Sequence, residues 1–211
     1  RELYRIGQGP SSSHTMGPRM AAERVLQQNP DAAVFRVTLY GSLAATGEGH
    51  LTDYAIKQVL GENRTEIVWH PEIVPSFHPN GMKFEALDSN RQCYYEWTVY
   101  SIGGGALAEE GASPIDTPEI YELDHLADIQ EWCRTRGKNY WEYVEECEGQ
   151  EIWDYLAEVW QVMKAAVERG IDHEGVLPGC LNLRRKAPDY YIKAMGYGAN
   201  LQTRGLVFSY A

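Results

Sequence analysis

The chain has few basic residues, no cysteine pairs and no long apolar run, and each deficit removes a class of function. Its 19 Lys and Arg face 30 Asp and Glu, a formal charge of −11 over 211 residues. Nucleic-acid binding needs a basic surface to displace counterions, so it is not expected. No segment approaches the ~20 consecutive apolar residues of a bilayer span, and a signal peptide is not expected in a chain that opens without Met. The four cysteines, Cys93, Cys133, Cys147 and Cys180, are scattered, without the close spacing of a zinc or iron–sulfur ligand set. Free thiols in a reducing cytoplasm are the expectation, and no metal site is expected on this chain. No two histidines stand four apart, which argues against a zinc hydrolase, and His70, His125 and His173 have no partner spacing. Gly103-Gly104-Gly105 lacks the full dinucleotide fingerprint, so a nucleotide role is rejected in favour of close backbone approach.

Against this background one stretch stands out. Gly9-Pro10-Ser11-Ser12-Ser13-His14-Thr15-Met16-Gly17-Pro18 sets four hydroxyls and an imidazole between two Gly/Pro pairs. Pro18 suits a first helical position, and the following residues read as a helix over 17–29. A helix N-terminus carries open N–H groups and partial positive charge, so it holds carboxylate or phosphate well. Ser11, Ser12, Ser13 and Thr15 add donors, and His14 adds a group that titrates near neutrality. The pattern is a small-anion site with an acid/base attached; a Ser-rich loop that only caps a helix is the plainer alternative. His50 follows Thr46-Gly47-Glu48-Gly49 and precedes a helix carrying Thr52 and Asp53 in its first turn, a second anion-friendly corner. An exposed loop histidine with a capping Asp53 is the competing reading there. His78-Pro79-Asn80 explains itself as a tight turn, with Asn80 as a secondary polar wall for a ligand.

Period-2 alternation predicts strands at 33–40, 65–69 and 82–87, and β-branched and aromatic content predicts a fourth at 93–102. A short helix is expected over 51–60. Strands mixed with helices suggest an α+β domain with a mixed sheet and helices packed on it. Residues 106–118 read as a loop, and 119–136 and 139–169 as helices, with Gly170 at the C-cap. The aromatics Trp141, Trp153, Tyr155 and Trp160 are expected in a core or an interface. The apolar run Leu206 to Ala211 reads as a helix cut short, so a fragment is expected.

The Ser-rich run resembles the start of the β domain of bacterial iron–sulfur-dependent L-serine dehydratases (L-serine ammonia-lyases). Gly41-Ser42-Leu43-Ala44 with Thr46 to His50 and Thr52-Asp53 resembles that family's second loop, and His78 to Met82 and Ser101 to Gly105 resemble two further signatures. Gly175-Val176-Leu177-Pro178-Gly179, then Leu181 and Arg184 to Ala187, resembles the entry to its α domain, except that Cys180 stands where a second glycine is usual. Five motifs in family order make the match specific. The resemblance implies a β domain over 1–170, with a fold like the allosteric substrate-binding domain, and a truncated start of the α domain over 171–211. It implies deamination of L-serine to pyruvate and ammonia by α,β-elimination, in the cytoplasm, within amino-acid catabolism and gluconeogenesis. His50 is then the candidate base and His14 a second catalytic candidate. Ser11, Ser12, Ser13, Thr15, Thr52, Asp53 and Asn80 contact substrate. A [4Fe–4S] cluster is implied in the complete enzyme, held by the missing α domain and not by this chain, which is expected to be inactive alone and to form a homodimer. The same resemblance extends to the allosteric domain of certain phosphoglycerate dehydrogenases, so a non-catalytic module binding serine or a small anion is the alternative.

Overall fold

The computed structural model describes residues 4–111, 119–179 and 181–195. The expectations for Cys180, for most of the 106–118 loop and for the run Leu206 to Ala211 lie outside them. The chain clusters into two compact units, Arg5–Pro114 with Gly175–Arg184, and Arg1–Tyr4 with Ile115–Glu174 and Arg185–Ala211.

The first unit is a five-stranded mixed sheet with helices, the α+β architecture expected. In chain order it holds α1 (Gly17–Gln28), β1 (Val34–Tyr40), α2 (Gly41–Thr46), α3 (Thr52–Leu60), β2 (Thr65–His70), β3 (Gly81–Leu87), β4 (Cys93–Gly103) and β5 (Ala106–Ala108). The sheet runs β2-β1-β3-β4-β5, with β1 and β2 parallel and the other neighbours antiparallel. Alternation along β1 turns Phe35, Val37 and Leu39 to one face, and the register sets Val37 opposite Phe84 and Phe84 opposite Trp97. Ala21, Ala22 and Val25 of α1 and Ile56 and Leu60 of α3 complete the fully buried core, with the half-buried Trp97 packed against it. Small residues on α1 let it lie close to the sheet. It ends where Asn29 caps the Val25 carbonyl with both its backbone and side-chain N–H groups, just before Pro30.

Two short elements depart from expectation. Gly41–Thr46 is helical, because Gly41 takes a φ of +49° that turns the chain straight from β1 into α2. Ala106–Ala108 is a strand, since the three preceding glycines, all at positive φ, reverse the chain beside β4.

The second unit contains α4 (Leu126–Arg136), α5 (Tyr140–Glu148), α6 (Ile152–Asp172) and α7 (Ala187–Met195). The helix expected from 119 begins only at Leu126, and that expected over 139–169 is two. A capping box of Asn139 and Glu142 starts α5, and Gly149 at φ +80° stops it. Gly170 is buried inside α6, not at its cap. Trp132 packs edge-on against Tyr143, whose hydroxyl accepts the Leu123 N–H at 3.0 Å. Trp141 and Trp153 touch edge-on yet stay largely exposed, as does Trp160, so among the described residues these three are not core. No described helix is long and apolar enough to cross a membrane.

Candidate functional site

The Ser-rich run folds as one wide π-helical turn, Ser12–Met16, that leads without a break into α1. Ser11 is extended and caps it, its hydroxyl accepting the His14 N–H at 3.1 Å while its carbonyl accepts the N–H groups of Thr15 and Met16. The Gly17 N–H goes to the Ser12 carbonyl. The N–H groups of His14, Thr15, Met16 and Gly17 are thus spent inside the turn, so the helical N-terminus lies at Ser12 and not at the Pro18 start expected. What the turn does instead is aim His14 at the second loop.

The ring centroids of His14 and His50 lie 4.7 Å apart at 36°, although 35 residues separate them in sequence. The loops are tied crosswise. Thr15 donates its hydroxyl to the His50 carbonyl at 2.8 Å, and Thr52 donates its own to the His14 carbonyl at 2.6 Å. Each histidine backbone is therefore held by a threonine from the other's loop. Both threonines are buried, where an unmade hydrogen bond costs about 1–3 kcal/mol, so the lattice is stiff.

The two imidazoles are held differently. His50 Nδ1 lies 2.9 Å from the Thr46 carbonyl. A carbonyl only accepts, so Nδ1 carries the hydrogen and the lone pair of neutral His50 is on Nε2. His14 is gripped by hydroxyls at both nitrogens, Ser13 Oγ at Nδ1 (2.9 Å) and Ser42 Oγ at Nε2 (3.0 Å). Burial, then the charge of His50, push the His14 pKa down, and Ser42 opposes them in part. Near neutrality His14 is uncharged.

Asn80 reaches this neighbourhood through the backbone. Ser42 donates its N–H to the Pro79 carbonyl at 3.1 Å, next to Asn80. Asn80 exchanges two hydrogen bonds with Ser101, Ser101 N–H to the Asn80 carbonyl (3.0 Å) and Asn80 Nδ2 to the Ser101 carbonyl (3.2 Å). That leaves Asn80 Oδ1 and Ser101 Oγ buried without a hydrogen-bond partner. Ser101 Oγ abuts Gly17, where a Cβ would overlap it. Ser12 is exposed on the turn, and Asp53 is half-buried in the first turn of α3.

Ser42 and Ser101 are the site residues missed from sequence. Both lie inside matched motifs, but a hydroxyl's direction depends on backbone turns that spacing does not show. Among the described residues, no group of three or more His, Cys, Asp or Glu side chains is placed to hold a metal ion, and Cys93, Cys133 and Cys147 are free thiols. The described residues do not supply the ligand set of an iron–sulfur cluster; what they present at this site is imidazoles, hydroxyls and amides.

The chain has relatives among known proteins. The family profile described as serine dehydratase beta chain matches residues 1–64 and 57–112. L-serine dehydratase 2 of Escherichia coli is 33% identical over 88% of this chain and 52% of its own length. L-serine dehydratase of Haemophilus influenzae is 31% identical over 95% and 55%, and that of Streptomyces coelicolor 33% over 88% and 52%. The chain spans about half the length of these curated relatives. With the profile running through the Ser-rich turn, both histidine loops and the sheet, the chain belongs to the serine dehydratase beta chain family.

Proposed function

We propose that this chain is the substrate-facing part of an L-serine dehydratase, an L-serine ammonia-lyase, with His50 as the base. The observation that carries this is the hydrogen bond from His50 Nδ1 to the Thr46 carbonyl, which leaves the Nε2 lone pair for a proton. In the elimination, Nε2 takes the Cα proton of L-serine, the C–H electrons form the Cα–Cβ double bond, and the β-hydroxyl departs. The aminoacrylate then tautomerises and hydrolyses to pyruvate and ammonia. A neutral His14 beside His50 avoids a second positive charge that would oppose proton uptake. Ser12 and Ser13, at the mouth of the turn, are assigned to the substrate carboxylate and ammonium, with Ser11, Asp53 and Asn80 around them. Thr15 and Thr52 act by holding the two loops together.

Loss of hydroxide needs an electrophile, and no grouped metal ligands among the described residues supply one. This chain therefore provides the base and the substrate seat. The iron–sulfur cluster implied by the family belongs, in this reading, to residues beyond those described. Residues 1–170 are read as the β-domain segment and 171–211 as the start of the α-domain segment of a cytoplasmic, homodimeric enzyme of serine catabolism that feeds gluconeogenesis.

The test is His50→Ala in the full-length enzyme. Loss of the base lowers turnover by about 10²–10⁴, while Ser12→Ala or Ser13→Ala mainly raises KM. Near-normal turnover in His50→Ala, measured as pyruvate release, would remove His50 from the base role and return the site to simple serine binding.

A further inference from the structure

We infer that Ser42 is a positioning residue whose hydroxyl, through His14 Nε2, fixes the His14 ring against His50. The inference rests on the role proposed for the two histidines and extends it to a residue that touches neither substrate nor His50.

The geometry follows from where Ser42 sits. It is the second residue of α2, immediately after the left-handed turn at Gly41. Both of its backbone groups are anchored, the N–H to the Pro79 carbonyl (3.1 Å) and the carbonyl by the Thr46 hydroxyl (3.0 Å). Its side chain is therefore carried on a fixed platform, and its Oγ meets His14 Nε2 at 3.0 Å. The other end of the same six-residue helix supplies the Thr46 carbonyl that orients His50. One short helix thus grips one imidazole at its first turn and the other at its last residue, setting the distance and tilt between the rings.

An imidazole ring held at one nitrogen only can still swing about χ2. His14 is held at both, by Ser13 from its own turn and by Ser42 from α2. The Ser13 contact is local and moves with the turn, so it is Ser42 that relates the His14 ring to the helix that holds His50. Without it, the His14 ring loses its tie to α2 while its backbone, held by Thr52 and Ser11, stays in place.

The experiment pairs spectroscopy on the chain with kinetics on the full-length enzyme. Ser42→Ala suits it because Ala is a better helix former than Ser, so α2 is retained. In the wild-type chain, the His14 ring is expected to give one narrow set of ¹⁵N signals. In Ser42→Ala the Nε2 signal is expected to shift as its hydroxyl partner is lost and the ring signals to broaden, with the His50 backbone signals unmoved. In the enzyme the same variant is expected to lose about tenfold or more in kcat, with KM for L-serine changed by less than about threefold. Ser42→Thr, which keeps a hydroxyl, is expected to restore the wild-type ring signals. Unchanged His14 shifts in Ser42→Ala overturn the inference whatever the turnover, and so does a Thr variant that behaves like the Ala variant. If His50→Ala retained turnover while Ser42→Ala still released His14, the base assignment would fall and the positioning of His14 would stand.

Discussion

At the scale of single residues, the site is defined by a titratable ring that the fold keeps neutral. The folded His14 pKa lies below its ordinary value of 6.5, by burial first and the His50 charge second. The unfolded chain therefore binds a proton at His14 more readily than the folded one. Above that value both states are neutral at this position and nothing is lost; as the pH falls below 6.5, folding is progressively opposed until His14 is charged in both states. Urea midpoints taken between pH 7.5 and pH 5 should fall with pH, and His14→Gln should flatten part of that slope. A His14→Gln variant with the wild-type slope would show that His14 does not contribute to it. The crosswise threonines make a second residue-scale prediction. Thr52→Val deletes the buried hydroxyl that donates to the His14 carbonyl, a loss of about 1–3 kcal/mol that equilibrium unfolding would register; no change would mean the lattice is slack.

At the scale of elements, the short helix α2 is the part most sensitive to change. Gly41 begins it at φ +49°, and a Cβ there would lie 2.6 Å from the Pro79 carbonyl oxygen. Gly41→Ala combines left-handed backbone strain with that overlap. It should cost about 2 kcal/mol or more and displace Ser42 together with Thr46, so stability and turnover fall together. A stable, fully active Gly41→Ala enzyme would contradict the assigned role of α2. Gly47, just past the helix, has a comparable constraint, because a Cβ would meet the Trp69 ring at 2.5 Å. The strands were legible in advance because alternation of Phe35, Val37 and Leu39 is local to one segment. The helix α2 was not, since six residues give too little periodicity and its existence depends on the Gly41 turn and the Pro79 carbonyl beside it.

At the scale of the whole molecule, the acidic balance of −11 and the mixed sheet frame a site built of hydroxyls, amides and imidazoles, with the Asp53 carboxylate in the first turn of α3 beside them. The division of labour proposed above has a direct consequence: the chain by itself is expected to release no pyruvate from L-serine, and the full-length enzyme to release it. Steady pyruvate production by the chain alone, followed with lactate dehydrogenase and NADH, would show that its residues supply the missing electrophile.

The sequence by itself determined the fold class and most of the first unit's strands, and it singled out His14 and His50 as candidates, because hydrophobic period and short motifs are properties of contiguous residues. It also carried the family, through five ordered motifs. Only the tertiary structure decided that the two histidines face each other, that Thr15 and Thr52 cross-tie their loops, and that Ser42 reaches His14. Those are contacts between segments from 28 to 38 residues apart. Their existence depends on how β1 hands the chain to α2 and where α1 lies on the sheet, and a hydroxyl's partner follows from that geometry, not from its neighbours in sequence.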